Sequence, residues 1–349
     1  MVLHRWLSCA VASLSHVCGR SSEVVRAIRG KWLPHDCVMV KFDVKDFYMD
    51  GDQSLMIALV LPFLDAAVRP AAELMLNMVL WHQYVVYDTN VYRVTRGSGM
   101  GAVHSSSISD LAFYALAERS LNYEALGVLL YLRYRDDIFA VVRSKEAATT
   151  LHGHLAKAAS ACWRVELEGS SAYGMPMLDM MVYKGPSFLR TGRLDHHFYQ
   201  KPTARHVPLS PWSCHSSSVH RSWPISEVAR IRQLCLHDTS FKYYRDRKVA
   251  RFRSFYLDPA VLAKCAKHRP RLTGIAPEVR PDSLRLIRVV VRYHPGLDRL
   301  SSRLNAVCRL WNRLLAGIPK KNPLLGFRVQ VAFTRASAPL HVICKRGKL

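Results

Sequence analysis

The sequence lacks any apolar run long enough to cross a membrane. A spanning helix needs about 18 to 20 apolar residues, whereas the longest run here begins at Leu55 and stops at Asp65. Internal repeats and low-complexity tracts are also absent. Half of the residues are apolar, which is typical of a chain with a packed core rather than a disordered one. No membrane association is therefore expected.

Cysteine pairs of the Cys-x-x-Cys type are also missing, although nine cysteines are present. This spacing argues against a zinc ribbon or a disulfide scaffold. An odd cysteine count without a convincing secretory signal predicts a reducing, intracellular compartment. Polar residues interrupt the apolar stretch of the first 18 residues, which is interpreted as a helix rather than a signal peptide.

Acidic residues are scarce in the second half of the chain. Residues 1–186 hold 18 basic and 18 acidic residues, whereas residues 187–349 hold 32 basic and 8 acidic ones. The second half therefore carries the whole net charge of +24. This division predicts an acidic chemical centre followed by a surface for a polyanion, with solvated basic helices as the alternative.

Periodicity predicts strands and helices in the first half and mainly helices in the second. A buried strand is expected at 37–43, and a β-hairpin at 128–142 with Asp136 and Asp137 at its tip. Further strands are expected at 84–94, 163–167, 177–183, 193–199, 286–291 and 327–333. Helices are expected at 21–33, 54–68, 71–81, 104–121 and 145–160, and a Pro/Ser/His-rich connector at 200–223.

Three carboxylates lie where these strands end. Asp43 closes the strand at 37–43, and Asp136 and Asp137 follow 93 residues later. Sheet pairing could bring them together to hold two Mg²⁺ ions about 3.5–4 Å apart, an arrangement suited to phosphoryl transfer. Ordinary turn chemistry is the alternative explanation of an Asp-Asp pair.

Five motifs in order resemble those of reverse transcriptases. The segments 42–48 (FDVKDFY), 96–101 (RGSGMG) and 134–137 (YRDD) are similar to the first palm motif, the glycine-rich second motif and the Tyr-x-Asp-Asp box. The segment 175–182 resembles the primer-grip hairpin. The segments 198–203, 213–215 and 221–224 resemble the region after the palm in Penelope-like retroelements, which are relatives of the telomerase catalytic subunit.

The resemblance implies an RNA-directed DNA polymerase of a retrotransposon. Asp43, Asp136 and Asp137 would be the catalytic metal ligands, joined by the Val44 carbonyl. The ions would be two Mg²⁺, with Mn²⁺ as an alternative. The Tyr48 ring would exclude a 2′-hydroxyl and so select deoxynucleotides. The other residues implied to bind the nucleotide are Asp46, Phe47, Arg96 and Gly97.

Primer and template contacts are implied at six positions. They are Tyr134, Met177, Leu178, Lys201, Arg245 and Arg251. Arginines alternate with aromatic residues at 241–256, a pattern suited to phosphate contacts and base stacking; an amphipathic helix with core aromatics is the alternative. The expected partners are an RNA template, a DNA primer and deoxynucleoside triphosphates, and the expected location is the nucleus.

The predicted fold class is α+β. Residues 1–33 are expected to form an N-terminal helical remnant and residues 34–186 a right-hand polymerase palm, an antiparallel sheet with helices. Residues 187–349 are expected to form a basic, mostly helical thumb or connector with a helix-turn-helix-like segment.

Two departures from the family pattern leave other functions open. Arg96 occupies a position that is usually Gln, and only 42 residues precede Asp43, too few for the fingers region. A partner could supply the fingers or an endonuclease. The alternatives are a catalytically silent, truncated remnant that only binds nucleic acid, and a two-metal nuclease, which has no need of Tyr48 or the glycine loop.

A cluster of histidines and cysteines offers ligands of the kind that zinc binds. It comprises His196, His197, Cys214, His215, His220, Cys235 and His237. Because these spacings fit no standard zinc-ligand pattern, polar packing in a connector is the favoured explanation.

Overall fold

The computed structural model describes residues 2–203, 207–210, 213, 215–255, 258–267, 285–292, 303, 306–311, 313 and 327–334. The chain divides into two compact units, Met1–Lys201 and Pro202–Leu349. Among the described residues, no helix combines the length and the apolar character that a membrane crossing requires.

The first unit mixes helices with antiparallel strands. In chain order its elements are α1 (Val2–Ala12), α2 (Ser21–Gly30), β1 (Val38–Val44), α3 (Gln53–Val60), α4 (Arg69–Trp81), β2 (Tyr84–Tyr87), β3 (Asn90–Arg93), α5 (Ser105–Phe113), β4 (Val128–Tyr134), β5 (Asp137–Val142), α6 (Lys145–Ala159), β6 (Val165–Ser171), β7 (Gly174–Met177), β8 (Met180–Tyr183), α7 (Pro186–Thr191) and β9 (Asp195–Phe198).

A four-stranded sheet in the order β4-β5-β1-β6 lies at the centre of this unit, with antiparallel pairing throughout. Alternation along β1 divides its side chains between two faces. Val38, Val40, Phe42 and Val44 enter the main core, together with apolar residues of α1 and α3–α6. The odd-numbered residues of β1 lie on the opposite face, where β7 packs against β1 and β6.

The N-terminal segment covers the free edge of β4. The Arg133 amide donates to the His16 carbonyl over 2.9 Å, and the Cys18 amide donates to the Arg133 carbonyl over 2.7 Å. A short parallel bridge between Val17 and Arg133 results. An exposed edge strand is open to pairing with another chain, so residues 16–18 protect the hairpin that carries Asp136.

Two smaller sheets complete the first unit. β2 and β3 form an exposed hairpin, and β7, β8 and β9 form a three-stranded antiparallel sheet. The predicted strand at 177–183 is in fact two strands, because Leu178 and Asp179 form a tight turn in which Leu178 has a φ of 56°. No glycine marks that turn in the sequence.

Two predicted helices end earlier than expected. The helix predicted at 54–68 ends at Val60 and tightens into a single 3₁₀ turn at Leu61–Phe63, because Pro62 has no amide hydrogen to continue an α-helix. The helix predicted at 104–121 ends at Phe113 and continues as a π turn at Tyr114–Glu118.

The second unit contains α8 (Ser217–Leu234), α9 (Asp238–Arg253), α10 (Pro259–Lys267), β10 (Arg285–Arg292) and β11 (Phe327–Thr334). Three residues join α8 to α9. The predicted strands at 286–291 and 327–333 are confirmed, and they pair with each other in parallel. The predicted connector at 200–223 extends too far, because α8 already begins at Ser217 and contains Pro224.

The domain boundaries predicted from the sequence differ from the division into units. The predicted boundary after residue 186 falls inside α7, and the helices of residues 1–33 belong to the same compact unit as the central sheet. The coarse fold class, mixed helices with an antiparallel sheet, agrees with the prediction.

Candidate active site at the end of strand β1

The three carboxylates predicted to act together are neighbours in the central sheet. Asp43 on β1 is paired directly with Asp137 on β5. Residues paired in this way on antiparallel strands have their side chains on the same face of the sheet, about 5 Å apart. Asp136 immediately precedes Asp137 in the turn between β4 and β5.

The turn itself is shorter than expected. Tyr134 pairs with Asp137, so only Arg135 and Asp136 lie between the strands, and Asp137 is the first residue of β5 rather than part of the tip. Arg135 has a φ of 59°. A two-residue hairpin turn that matches the right-handed twist of its strands requires a positive φ at its first residue. The Val44 amide donates to the Asp136 carbonyl over 3.0 Å and ties the turn to β1.

Two lysines, Lys41 on β1 and Lys45 directly after it, bind two of these carboxylates. Lys45 Nζ lies 2.6 Å from Asp43 and 3.3 Å from Glu166 on β6. Lys41 Nζ lies 2.7 Å from both Asp137 and Glu168. Burial lowers the pKa of a lysine, but the hydrogen bonds of Asp137 and Glu168 outweigh it and raise the pKa of Lys41 above its usual value. One face of the sheet thus carries alternating positive and negative charges.

Asp136 differs from its two neighbours. No basic side chain forms an ion pair with it among the described residues. Burial raises the pKa of Asp136, and the nearby Asp137 and Asp43 carboxylates raise it further. The negative charge of Asp136 is the least compensated of the three. A bound cation would therefore stabilise this carboxylate more than those of Asp43 and Asp137.

The glycine loop packs directly against the residues that follow β1. The Gly97 amide donates to the Gly51 carbonyl over 2.8 Å, and the Gly99 amide donates to the Tyr48 carbonyl over 3.0 Å. Gln53 donates to the Gly97 carbonyl over 3.1 Å. The first two predicted motifs therefore form one joined surface beside the carboxylates.

Replacing Gly97 with alanine is expected to lower the free energy of unfolding by about 2–4 kcal/mol. Gly97 has a φ of 73°, and an added Cβ would contact the Tyr48 carbonyl oxygen and lie 2.7 Å from the Met49 carbonyl carbon. Urea denaturation measures the change.

Gly101→Ala is the matched control for that experiment. Gly101 has a φ of 94°, but no atom lies within 4 Å of its added Cβ. Its replacement is expected to cost only the backbone strain, about 1–2 kcal/mol. Equal losses in the two variants would show that the contact with Tyr48 and Met49 does not matter.

A buried ionic network lies beneath the turn that carries Asp136. Arg133, with no exposed surface, binds the Glu118 carboxylate through two hydrogen bonds of 2.8 and 3.0 Å. It also donates to the Asp110 carboxylate over 2.8 Å and to the Asp110 carbonyl over 3.0 Å. Tyr131 and His16 also contact the Glu118 carboxylate, at 2.8 and 3.0 Å. Burial alone would raise the pKa of Glu118, but Arg133 and His16 lower it to about 2.

The π turn after α5 brings both acids of this network to one side of the helix. The Arg119 amide donates to the Tyr114 carbonyl five residues earlier, over 2.8 Å. In a regular α-helix, Asp110 and Glu118 would be about 80° apart around the axis. One extra residue in a turn rotates the following residues back by about 100°. Both carboxylates can therefore reach Arg133.

The residues predicted to bind the nucleotide are placed differently from one another. Asp46 is exposed, with a φ of 50°. Phe47 is 3% exposed and packs between Phe113 and Trp163, so its side chain is unavailable to a ligand. Tyr48 is half-buried. Burial raises the pKa of its hydroxyl, Arg135 opposes the shift, and the Asp110 and Asp136 carboxylates add to it. Tyr48 is therefore within electrostatic range of the turn that carries Asp136.

Arg96 is held by a residue that the sequence did not single out. Its guanidinium donates to Asp50 over 2.6 and 2.8 Å. Both residues line a cavity of about 310 Å³ together with the end of α6 and residues 160–165. This is at the lower end of the volumes that small-molecule sites have.

The predicted primer and template contacts divide between the two units. In the first unit, Met177 is fully buried, Tyr134 and Leu178 are half-buried, and Lys201 is exposed. Met177 could therefore reach a ligand only through its backbone. In the second unit, Arg245 and Arg251 lie on α9, and both are half-buried.

Some of the arginine and aromatic residues that alternate on α9 have a structural role, because they pack against other side chains of the second unit. The guanidiniums of Arg232 and Arg245 lie 5.3 and 5.5 Å from the Phe241 ring. On the exposed side, Arg247 donates to the Tyr243 hydroxyl over 2.5 Å. Residue 256 of this segment lies outside the described residues. The exposed basic residues on α9 are Lys242, Arg247 and Arg253, all within the predicted segment 241–256.

Sequence reasoning also missed the lysines that bind Asp43 and Asp137, and the two glutamates that share those lysines. The alternation Val165, Glu166, Leu167, Glu168 was a signal for two acids on one face of β6. The acids at 110 and 118, which flank the apolar run 111–117, were a signal for a buried counter-ion.

The predicted ligand groups do not form a preformed metal cage. Within the described part of the chain, no three His, Cys, Asp or Glu side chains converge as metal ligands. Cys214, from the cluster of histidines and cysteines, lies outside the described residues.

No protein-family model matches the chain, and no curated protein is similar to it. Similar solved structures include telomerase from Candida albicans in complex with a fragment of telomeric RNA, at 11% identity and a TM-score of 0.48. It covers 76% of this chain and 55% of that one. The others include telomerase from Candida tropicalis with the same kind of RNA fragment, at 13% identity and a TM-score of 0.44, which covers 75% of this chain and 47% of that one.

A viral enzyme shows a likeness of the same degree. It is the RNA-dependent RNA polymerase of a human picobirnavirus, at 12% identity and a TM-score of 0.46, and it covers 76% of this chain and 50% of that one. The chain thus spans about half the length of the solved structures that it resembles.

Proposed function

We propose that the chain is an RNA-directed DNA polymerase of retroelement type, which adds deoxynucleotides to a primer 3′-hydroxyl and releases pyrophosphate. The observation that carries the proposal is the pairing of Asp43 with Asp137 across β1 and β5, with Asp136 beside them on the turn. The glycine loop is hydrogen-bonded to the Tyr48 carbonyl, and the Asp136 carboxylate contributes to the raised pKa of the Tyr48 hydroxyl. A nuclease would need the acids alone.

Asp43, Asp136, Asp137 and the Val44 carbonyl would hold two Mg²⁺ ions, or Mn²⁺. Oxygen donors of this kind suit both cations, and the uncompensated charge of Asp136 fits a cation site. When bound, the ions would supply Lewis-acid stabilisation of the transferring phosphate.

The chain's own residues would prepare this site. Lys45 and Lys41 would orient the Asp43 and Asp137 carboxylates through ion pairs of 2.6 and 2.7 Å. Lys45 is one-third exposed, so it can turn away from Asp43 into solvent. The Tyr48 ring would lie under the sugar of the incoming nucleotide.

Nucleic acid would bind partly through charge. The strongly basic second half provides lysines and arginines for phosphate contacts, including those exposed on α9. Such binding weakens steeply as the salt concentration rises. An RNA template with a DNA primer is the proposed ligand.

Primer extension on an RNA template tests the proposal. The wild-type chain, with deoxynucleotides and Mg²⁺, is expected to extend the primer, and an Asp136→Ala, Asp137→Ala double variant is not. Asp88→Asn is the control, since Asp88 lies in the exposed turn between β2 and β3 with a φ of 55° that asparagine tolerates. Equal extension by the double variant would contradict the proposal.

A catalytically silent nucleic-acid-binding protein is the second candidate. It is favoured by the lysines bound to Asp43 and Asp137, which occupy positions that cations would otherwise take. Salt-sensitive binding of a primer–template, measured by fluorescence anisotropy, without any extension would support this candidate over the polymerase.

Replacing Tyr48 with alanine is expected to weaken the preference for deoxynucleotides over ribonucleotides by roughly 10–200-fold. The half-buried ring next to Asp136 would no longer exclude a 2′-hydroxyl. Competing incorporation of the two nucleotide types measures the effect. Tyr87→Ala, in the exposed hairpin, is the control and should leave the preference unchanged. If Tyr48→Ala keeps the wild-type preference for deoxynucleotides, the Tyr48 ring does not exclude the 2′-hydroxyl.

A further inference from the structure

We infer that Asp110 is a positioning residue that holds Arg135 and thereby fixes the turn that presents Asp136. This inference rests on the proposed function for its catalytic consequence. Asp110 lies on α5, outside the carboxylate cluster and outside every motif that the sequence prediction used.

The two oxygens of Asp110 bind two different arginines on either side of Tyr134. Oδ1 accepts a hydrogen bond of 2.8 Å from Arg133 Nη1, and Oδ2 accepts one from Arg135 Nη1. Arg133 Nη1 also donates to the Arg135 carbonyl over 3.3 Å. The side chain and the backbone of Arg135 are therefore both held from the same side.

The backbone of Arg135 explains why such a hold is needed. Its φ of 59° lies in the left-handed region, which glycine adopts readily and a residue with a Cβ does not. Glycine would form this turn without strain. An arginine here is expected only if its side chain compensates, and the ion pair with the fully buried Asp110 is such a compensation.

The same helix also holds the glycine loop. The Ser98 hydroxyl lies 2.9 Å from the Ser109 hydroxyl, and Ser105 donates to the Ser98 carbonyl over 2.6 Å. Asp110 follows Ser109 directly. α5 therefore sets the distance between the loop proposed to receive the nucleotide and the turn that carries Asp136.

The variant Arg135→Gly tests the ion pair of residue 135 with Asp110, here called the tether, separately from the backbone conformation of the turn. Glycine keeps the left-handed turn and removes the guanidinium, whereas Arg135→Lys retains a positive charge. Arg143→Gly, an exposed arginine just after the other end of β5, is the matched control. These variants leave the buried Arg133 and Glu118 pair intact, so all are expected to fold, with unfolding temperatures close to that of the wild type.

Two readouts are measured on the full chain. The first is hydrogen exchange at the Val44 amide, which donates to the Asp136 carbonyl over 3.0 Å. It is expected to speed up by about tenfold in Arg135→Gly. The second is primer extension, where the maximum rate is expected to fall by about tenfold while the half-saturating nucleotide concentration stays constant. Arg135→Lys should recover part of both.

The outcomes separate this inference from the proposed function. Unchanged exchange at Val44 in Arg135→Gly would overturn the tether, whatever happens to extension. If the wild-type chain does not extend a primer but exchange responds as expected, the tether is supported and the polymerase proposal is not.

Discussion

Asp136→Asn is expected to reduce primer extension by at least about 1,000-fold and, at the same time, to stabilise the folded chain. The loss of activity follows from removing the carboxylate that forms no ion pair with any basic side chain the structure describes. The substitution keeps the shape of the side chain and the hydrogen bond from Val44 to the residue 136 carbonyl, so the turn itself should persist.

The stabilisation follows from the direction of the pKa shift. A carboxyl group whose pKa is raised on folding destabilises the fold wherever it is ionised, that is, above its usual value of 3.8. Stability should therefore rise as the pH falls through the raised pKa. Asparagine carries no charge, so the variant should have a higher unfolding temperature at pH 7, as is common when an active-site charge is removed.

Added Mg²⁺ provides the matching control. It should raise the unfolding temperature of the wild type, because it binds the folded state alone, and it should have a smaller effect on Asp136→Asn. A variant that is less stable than the wild type at pH 7, or that retains activity, would contradict this account of Asp136.

The second large effect concerns stability rather than catalysis. Glu118→Gln is expected to lower the free energy of unfolding of the first unit by about 3–5 kcal/mol. The amide cannot balance the charge of Arg133, which has no exposed surface and lies 5.1 Å from the Phe113 ring. Chemical denaturation followed by circular dichroism measures the change.

Acid titration reports the same interaction in the wild type. The pKa of Glu118 falls from its usual 4.5 to about 2 on folding. Such a group stabilises the fold fully above pH 4.5, and the contribution is lost as the pH falls towards 2. It amounts to on the order of 3 kcal/mol.

Glu124→Gln is the control for both measurements, because Glu124 is exposed. It is expected to change the free energy of unfolding by less than about 0.5 kcal/mol. A Glu118→Gln variant that loses stability in acid as steeply as the wild type would show that another group causes the acid transition.

The sequence was informative about the strands that carry the acids. β1 and the hairpin of β4 and β5 were predictable because each apolar run stops at an aspartate, and such a pattern is typical of a buried strand that ends at a polar edge. The location of Asp137 was not predictable, because either of two adjacent aspartates suits a turn equally well. Only the register, in which Tyr134 pairs with Asp137, places it inside β5.

The charged groups around these acids could not be predicted from the sequence, because their contacts form between residues far apart along the chain. Lys41 and Glu168 are 127 positions apart, and Asp110 and Arg133 lie on different elements. Their contacts depend on sheet register and on the π turn, and neither has a local sequence signal. Arg96 shows the same limit, because its pairing with Asp50 arises only when the glycine loop packs on the residues after β1.

The π turn at Tyr114–Glu118 also fixes a spacing that can be looked for in related chains. Here the two acids that bind Arg133 are eight positions apart, and the extra residue in the turn makes that interval work. In a relative whose helix is regular throughout, seven positions would bring the second acid to the same side. An alignment could show the two acids seven positions apart in a relative and eight positions apart here, with a one-residue gap between them. That gap would mark where this chain gained a residue during its evolution.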